Sequence, residues 1–130
     1  MNENVETIMI RDLITLEPES TLDHVNDIFR SKNIHHIPVV EEGRLKGMVT
    51  TFDMWKIKSQ LAILEPDAKI GTAAELFLAN RFHAIPVVKD GFLVGLVTTF
   101  DILRYEFRKE YPDPILFKDE LDKGLDAAQH

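Results

Sequence analysis

Thr50 and Asp53 stand three residues apart in GMVTTFD (47–53), and Thr98 and Asp101 repeat that spacing in GLVTTFD (95–101). Two chemistries suit such a pair. A threonine followed three residues later by an acid forms a capping box: the hydroxyl accepts a backbone N–H at a helix start and the carboxylate bonds back. The acid also complements the positive end of the helix dipole. The same groups suit a ligand, because a carboxylate accepts hydroxyl protons and a helix start favours an anion such as phosphate. Lys56 and Arg104 lie one helical turn beyond each Asp, on a solvated face, beside the acid, or against a phosphate. Gly47 and Gly95 fall inside apolar strand patterns, where glycine marks a bulge or a close approach by another group.

The histidines at 35, 36 and 83 invite a metal reading. His35 and His83 occupy equivalent positions of a repeat, however, and no carboxylate stands at ligand spacing. A polar residue at a cleft mouth is the simpler assignment, and no metal site is expected. A histidine touching phosphate strengthens binding below roughly pH 6.5, where imidazole becomes charged. Cysteine is absent, which excludes disulfides, thiolate metal sites and cysteine nucleophiles. No nucleophile–base constellation is visible, and one acid duplicated by symmetry is not an acid/base pair with split pKa values; the chain does not read as an enzyme. With 15 basic against 22 acidic side chains the net charge is −7, which disfavours broad attraction to nucleic acid or anionic lipid. No apolar run approaches a membrane span and the first residues lack a basic signal-peptide head, so a cytoplasmic location is expected.

The elements that must position these residues emerge from the repeat. Shifting the sequence by 48 aligns residues 15–55 with 63–103 without a gap, and roughly two-fifths of the pairs are identical, which sets a supersecondary unit repeated twice. In each copy an apolar helical face, Leu22, Val25, Ile28, Phe29 or Ile70, Ala73, Ala74, Phe77, precedes the β-branched run IPVV. Pro38 and Pro86 are tolerable there only at a strand start or a sheet edge. EEG and KDG then turn a β-hairpin into RLKGMVT and FLVGLVT, and a second helix follows from about Phe52 and Phe100. Ser20 with Asp23 offers a capping box for the first helix, while Ala68 and Gly71 leave the equivalent helix start less firmly fixed. The fold class is α+β with α/β-type layers: two helix-strand-strand-helix copies, each with a short leading segment. The expected divisions are 1–58, 59–108 and a C-terminal extension at 109–130 with Leu116, Leu121 and Leu125 as apolar anchors. A unit of this size has little core of its own, so the copies are expected to pack in pseudo-two-fold fashion, with equivalent clefts between them.

The order of these residues, IPVV followed by Gly-x-x-Thr-x-x-Asp and repeated in register, closely resembles the tandem CBS domain, named from cystathionine β-synthase. The resemblance covers roughly residues 5–108. It implies a stand-alone pair of repeats binding AMP, ADP, ATP or S-adenosylmethionine in clefts between them, with no required cofactor. By the same resemblance Asp53 and Asp101 take ribose hydroxyls, and Thr50 and Thr98 hold phosphate. Backbone groups of Ile34, His35 and His36, and of Phe82, His83 and Ala84, take the adenine edge, with Val25 and Ala73 as apolar walls. The acid of one copy is expected to serve the adenine slot of the other.

Two functional classes follow. One is a regulatory module that senses an adenosine ligand and modulates a partner protein in trans, commonly as a homodimer. The other is a ligand-free dimerisation scaffold, which the acidic tail with its apolar anchors favours.

Overall fold

The computed structural model describes residues 1–51, 56–57, 61–80 and 83–112, with backbone alone at 56, 57 and 80. The Asp53 and Phe82 positions, the start of the helix expected from Phe52, and the extension from 113 onwards lie outside the described residues.

Helix α1 (Leu22–Lys32) begins at Thr21, whose side chain accepts the His24 N–H at 3.2 Å, and ends on Asn33 in the left-handed region, a conformation asparagine tolerates well. The expected cap at Ser20 is therefore displaced by one residue. The Ser20 hydroxyl instead accepts the Glu17 N–H at 3.1 Å and closes the turn before the helix. Val25 is buried with Ile28 and Phe29 packed beside it. Leu22, expected on that face, is 66% exposed and lines an apolar groove.

Strands β1 (His36–Glu41) and β2 (Arg44–Thr50) form the first hairpin, β4 (Ala84–Lys89) and β5 (Phe92–Thr98) the second. Their turns place Glu42 and Gly43, and Asp90 and Gly91, at positive φ, the two-residue geometry that matches strand twist. The sheet order is β1-β2-β5-β4, so Pro38 and Pro86 both fall on edge strands, where a missing N–H is tolerated. Both hairpins carry a bulge, between Val39 and Val40 and between Val87 and Val88, next to Gly47 and Gly95.

The hairpins meet at their turns. Arg44 pairs with Phe92, Leu45 N–H donates to the Gly91 carbonyl, and Leu93 N–H donates to the Gly43 carbonyl. A shift of 48 residues exchanges these partners, so the pseudo-two-fold axis passes between Arg44 and Phe92. The Arg44 guanidinium lies 4.4 Å from the Phe92 ring centroid, a cation–π contact on the axis. Each copy keeps its own apolar cluster, one around Leu16, Val25, Ile37 and Val49, the other around Ile70, Ala73, Phe77, Ile85 and Val97.

One element departs from the expected pattern. The backbone at 56–57 is strand β3 (Lys56–Ile57), paired with β2 at Gly47↔Ile57 and Met48↔Lys56, so no helix from Phe52 runs through these residues. The open edge of β2 needs hydrogen-bond partners. The same edge of β5 is met by Ile10, which exchanges two 2.9 Å hydrogen bonds with Leu96. Lys56–Ile57 thus fills on the first copy the place the leading segment fills on the second.

That leading segment crosses to the second copy. Val5 is fully buried in its cluster with Met9, and Val5 N–H donates to the Ala68 carbonyl at 2.7 Å. The carbonyls of Glu3 and Met1 accept the N–H groups of Ile70 and Gly71. These are the orphan donors of helix α2 (Ile70–Asn80), so a start lacking a capping side chain at Ala68 is closed by main chain from 65 residues or more upstream. Lys69 Nζ adds a hydrogen bond to Asn4 Oδ1 at 2.8 Å.

Candidate functional site

Helix α3 (Thr99–Glu110) starts at the second Thr–Asp pair with a complete capping box. Asp101 Oδ2 accepts the Thr98 N–H at 2.8 Å and the Thr98 hydroxyl at 3.0 Å, while Thr98 Oγ1 accepts the Asp101 N–H at 3.3 Å. The capping reading of this motif is therefore correct for the second copy. It does not exhaust the acid. Asp101 has no exposed surface, and among the described residues its Oδ1 accepts no hydrogen bond. Arg104 Nη2 stands 3.7 Å from that oxygen. Burial pushes the Asp101 carboxyl up to about 6, against the two Thr98 hydrogen bonds and the Arg104 charge, which pull it down.

Asp101 forms part of the wall of a cavity of about 250 Å³ shared with Thr7, Ile8, Arg104, Tyr105, Arg108 and Lys109. Thr7 and Ile8 belong to the segment that leads into the first copy, and the rest to α3 of the second. The cavity therefore lies where the crossing segment runs over α3. Tyr105 donates its hydroxyl to the Glu3 carboxylate, which lowers the Glu3 pKa and raises the tyrosine to about 12. This bond fastens the crossing segment to α3 beside the cavity.

The remaining expected site residues are distributed as follows. Thr50 is buried at the end of β2, in the position equivalent to Thr98. Ile34 and His36 are buried, His35 and His83 exposed, and Ala84 half-buried. The His35 carbonyl accepts the Thr51 N–H at 3.1 Å and the His83 carbonyl accepts the Thr99 N–H at 3.3 Å. These equivalent bonds tie the start of each hairpin to its end. The His36 and His83 ring centroids lie 6.3 Å apart, which brings the two strand starts together across the axis. None of Ile34, His35, His36, His83 and Ala84 lines the Asp101 cavity. Val25 lines the separate apolar groove of the first copy with Leu16, Pro18, Leu22, Val39 and Val49, and Ala73 is buried in the second core. Among the described residues no group of three or more His, Asp or Glu side chains is placed to hold a metal ion, and no helix is long and apolar enough to cross a membrane.

Gly95 answers to packing. A Cβ there would meet the Met9 thioether and lie 3.1 Å from the Ile10 carbonyl oxygen, so the close approach is made by the crossing segment. Sequence reasoning overlooked Thr7, Ile8, Tyr105, Arg108 and Lys109. A signal for part of this set was available: positions 101, 104, 105 and 108 share one face of a helix.

A family model described as the CBS domain matches residues 5–54 and again residues 56–108. The inosine-5′-monophosphate dehydrogenase of Thermoplasma acidophilum is 38% identical over 53 residues, which are 41% of this chain and 11% of that protein; the chain thus spans a small part of that relative. The crystal structure of CBSX2 in complex with AMP has a TM-score of 0.78 at 19% identity, covering 83% of this chain and 98% of that one. The CBS domain pair of protein MJ0100, in complex with 5′-methylthioadenosine and S-adenosyl-L-methionine, has a TM-score of 0.74 at 23% identity, covering 84% and 99%. At these identities the two structures establish a shared fold.

Proposed function

The chain belongs to the CBS domain family, and from that premise we propose that it is a regulatory module that binds an adenosine-containing ligand and modulates a partner protein in trans. One observation carries the reading: a fully buried carboxylate, Asp101, whose Oδ1 accepts no hydrogen bond among the described residues, on the wall of a cavity. An ionised oxygen in that position is costly unless donors reach it, and ribose hydroxyls are donors of the right kind. Thr98 holds the acid in place through its other oxygen. AMP on CBSX2 and S-adenosyl-L-methionine on MJ0100 are the ligand types that support this reading by analogy of fold. In the first copy the proposed counterparts are Thr50 and Asp53, and the adenine edge is assigned to Ile34, His35, His36, Phe82, His83 and Ala84. The module acts as a binding protein and not as an enzyme, in the cytoplasm and as a homodimer.

Ligand binding changes a partner's state only by favouring one packing of the repeats over another. Calorimetric titration with AMP, ADP, ATP and S-adenosylmethionine tests the proposal. Heat and a thermal shift at millimolar ligand or below are expected, and their absence for every ligand would overturn it. The complete capping box at Thr98 favours a second reading, a scaffold whose motif serves only to start α3. Asp101→Ala separates the two. Loss of both ligand affinity and stability supports the binding site, whereas loss of stability alone supports the scaffold.

A further inference from the structure

The two copies differ at the start of their first helix. On the second copy, residues 1–6 lie in front of α2. Val5 N–H and Glu6 N–H donate to the Ala68 and Pro66 carbonyls at 2.7 and 3.2 Å. The Glu3 and Met1 carbonyls accept from Ile70 N–H and Gly71 N–H at 2.9 and 3.1 Å, and Val5 is fully buried. A shift of 48 residues maps these four docking groups onto the Ser20 and Pro18 carbonyls and the Leu22 and Asp23 N–H groups. Among the described residues none of those four has a hydrogen-bond partner.

The side chains differ in the same way. Ile70 has no exposed surface, whereas its equivalent Leu22 is 66% exposed. Pro18 is exposed where Pro66 is half-buried. Leu22 and Pro18, with Leu16, Val25, Val39 and Val49, line a groove of about 200 Å³ that shares no described lining residue with the Asp101 cavity. The first copy therefore presents two acceptors, two donors and an apolar groove in the arrangement that an extended segment occupies on the second.

Charge separates the possible occupants. Residues 17–23 carry Glu17, Glu19 and Asp23 with no base, whereas residues 65–71 carry Glu65 and Asp67 with Lys69. Thr21 stands where Lys69 does, so the Lys69–Asn4 hydrogen bond that fastens the leading segment has no counterpart. A second copy's leading segment would bring Glu3 and Glu6 to this acidic rim, and the extension at 113–130 has five acids against two lysines. Neither complements it.

We propose that the groove in front of α1 is a docking site for a partner protein, which inserts an extended, basic segment carrying a branched aliphatic residue. Main-chain hydrogen bonds to Pro18, Ser20, Leu22 and Asp23 supply register, the aliphatic side chain takes the place Val5 takes on the second copy, and basic neighbours meet Glu17, Glu19 and Asp23. The inference rests on the reading of a regulatory module only for the existence of a partner. Its test needs no adenosine ligand, so the two fail separately.

The test is amide exchange and peptide titration on the isotope-labelled full chain, followed at the resonances of Leu22, Asp23 and Val25. The probes are the peptide MNENVETI, its Glu3→Lys, Glu6→Lys form, and that basic form with Val5→Ser. In the free chain the Leu22 and Asp23 amides should exchange much faster than those of Ile70 and Gly71. The basic peptide should slow them, bind about tenfold or more tightly than MNENVETI, and lose that advantage as salt rises. Val5→Ser in the peptide should cost about tenfold, and Leu22→Ser in the protein, at an exposed position, about fivefold. Protection of Leu22 and Asp23 in the free chain at every concentration would mean that its own residues fill the groove. Protection that grows with protein concentration would mean that a second copy does, and either result overturns the proposal. So do shifts confined to Ile70 and Gly71, equal affinity for the acidic and basic peptides, or no binding of either at millimolar concentration.

Discussion

Replacing Asp101 by Asn removes the titrating group and keeps an oxygen that can accept the Thr98 N–H. Buried, Asp101 titrates at about 6 against an ordinary value of 3.8; loss of solvation outweighs the hydrogen bonds from Thr98 and the charge of Arg104. An acid whose pKa is raised by folding binds its proton more tightly in the folded state. Its contribution therefore grows as pH falls through about 6 and is complete below 3.8. The difference between those values is worth on the order of 3 kcal/mol across the window. Urea unfolding of the wild type and of Asp101→Asn between pH 4 and 7.5 isolates this group. Other carboxylates, including Glu3 with its pKa lowered by the Tyr105 hydrogen bond, are common to both proteins and cancel in the difference. Wild-type stability relative to the variant should fall by on the order of 3 kcal/mol from the acid to the neutral end, then level off. A flat difference would show that the carboxylate is solvated. A difference that rises with pH would show that Arg104 and Thr98 dominate over burial. The ligand reading adds a linked expectation: hydroxyls donating to Oδ1 favour the ionised form, so affinity should weaken as pH drops below about 6.

Gly95→Ala should destabilise the chain by about 1–3 kcal/mol in denaturant unfolding, since the new methyl meets both the Met9 side chain and the less yielding Ile10 carbonyl. A loss under about 0.5 kcal/mol would mean the crossing segment does not dock on β5. Glu42 holds φ 53 in the first hairpin turn, where the second hairpin has Asp90 at the same angle. Glu42→Asn should stabilise by roughly 0.5–1 kcal/mol, read as a raised melting temperature, because asparagine adopts the left-handed region at lower cost.

What was legible in the sequence was local or repeated. The hairpins announced themselves through EEG and KDG between β-branched runs, and their turns adopt the positive φ values that such residues serve. The capping box at Thr98 and Asp101 is a contact across three residues and was readable for that reason. The choice of Thr21 over Ser20 was not: Ser20 is the hydroxyl with an acid three residues on, yet its side chain accepts the Glu17 N–H, and Thr21 accepts the His24 N–H in its place. Nor was the path of the leading segment. Val5 and Met9 join a core built 60 to 90 residues away, and their spacing has no period that points to a partner. The route from Ile10 to Leu96 could be inferred only by asking what fills the edge of β5. Asp101 could be picked out from the motif, but its unsatisfied oxygen depends on tertiary burial, and so does the cavity wall that Thr7 and Ile8 complete.

The crossing segment makes the two copies unequal in a way that their sequences do not. On the second copy it supplies an edge partner for β5 at Ile10, main-chain acceptors for the start of α2, a buried Val5, and two residues of the Asp101 cavity. These roles fall within ten consecutive residues, so they cannot be altered independently. A ligand that contacts Thr7 or Ile8 while engaging Asp101 adds its binding energy to the docked state of the segment, by the same amount that docking adds to affinity. The coupling runs through main-chain hydrogen bonds to Ile70 and Gly71 and thus reaches α2. Where a pseudo-symmetric pair must report occupancy of a small cavity, a single strap spanning its wall and the start of a helix on the same copy provides a physical route, and the Tyr105–Glu3 hydrogen bond marks where that strap is fastened.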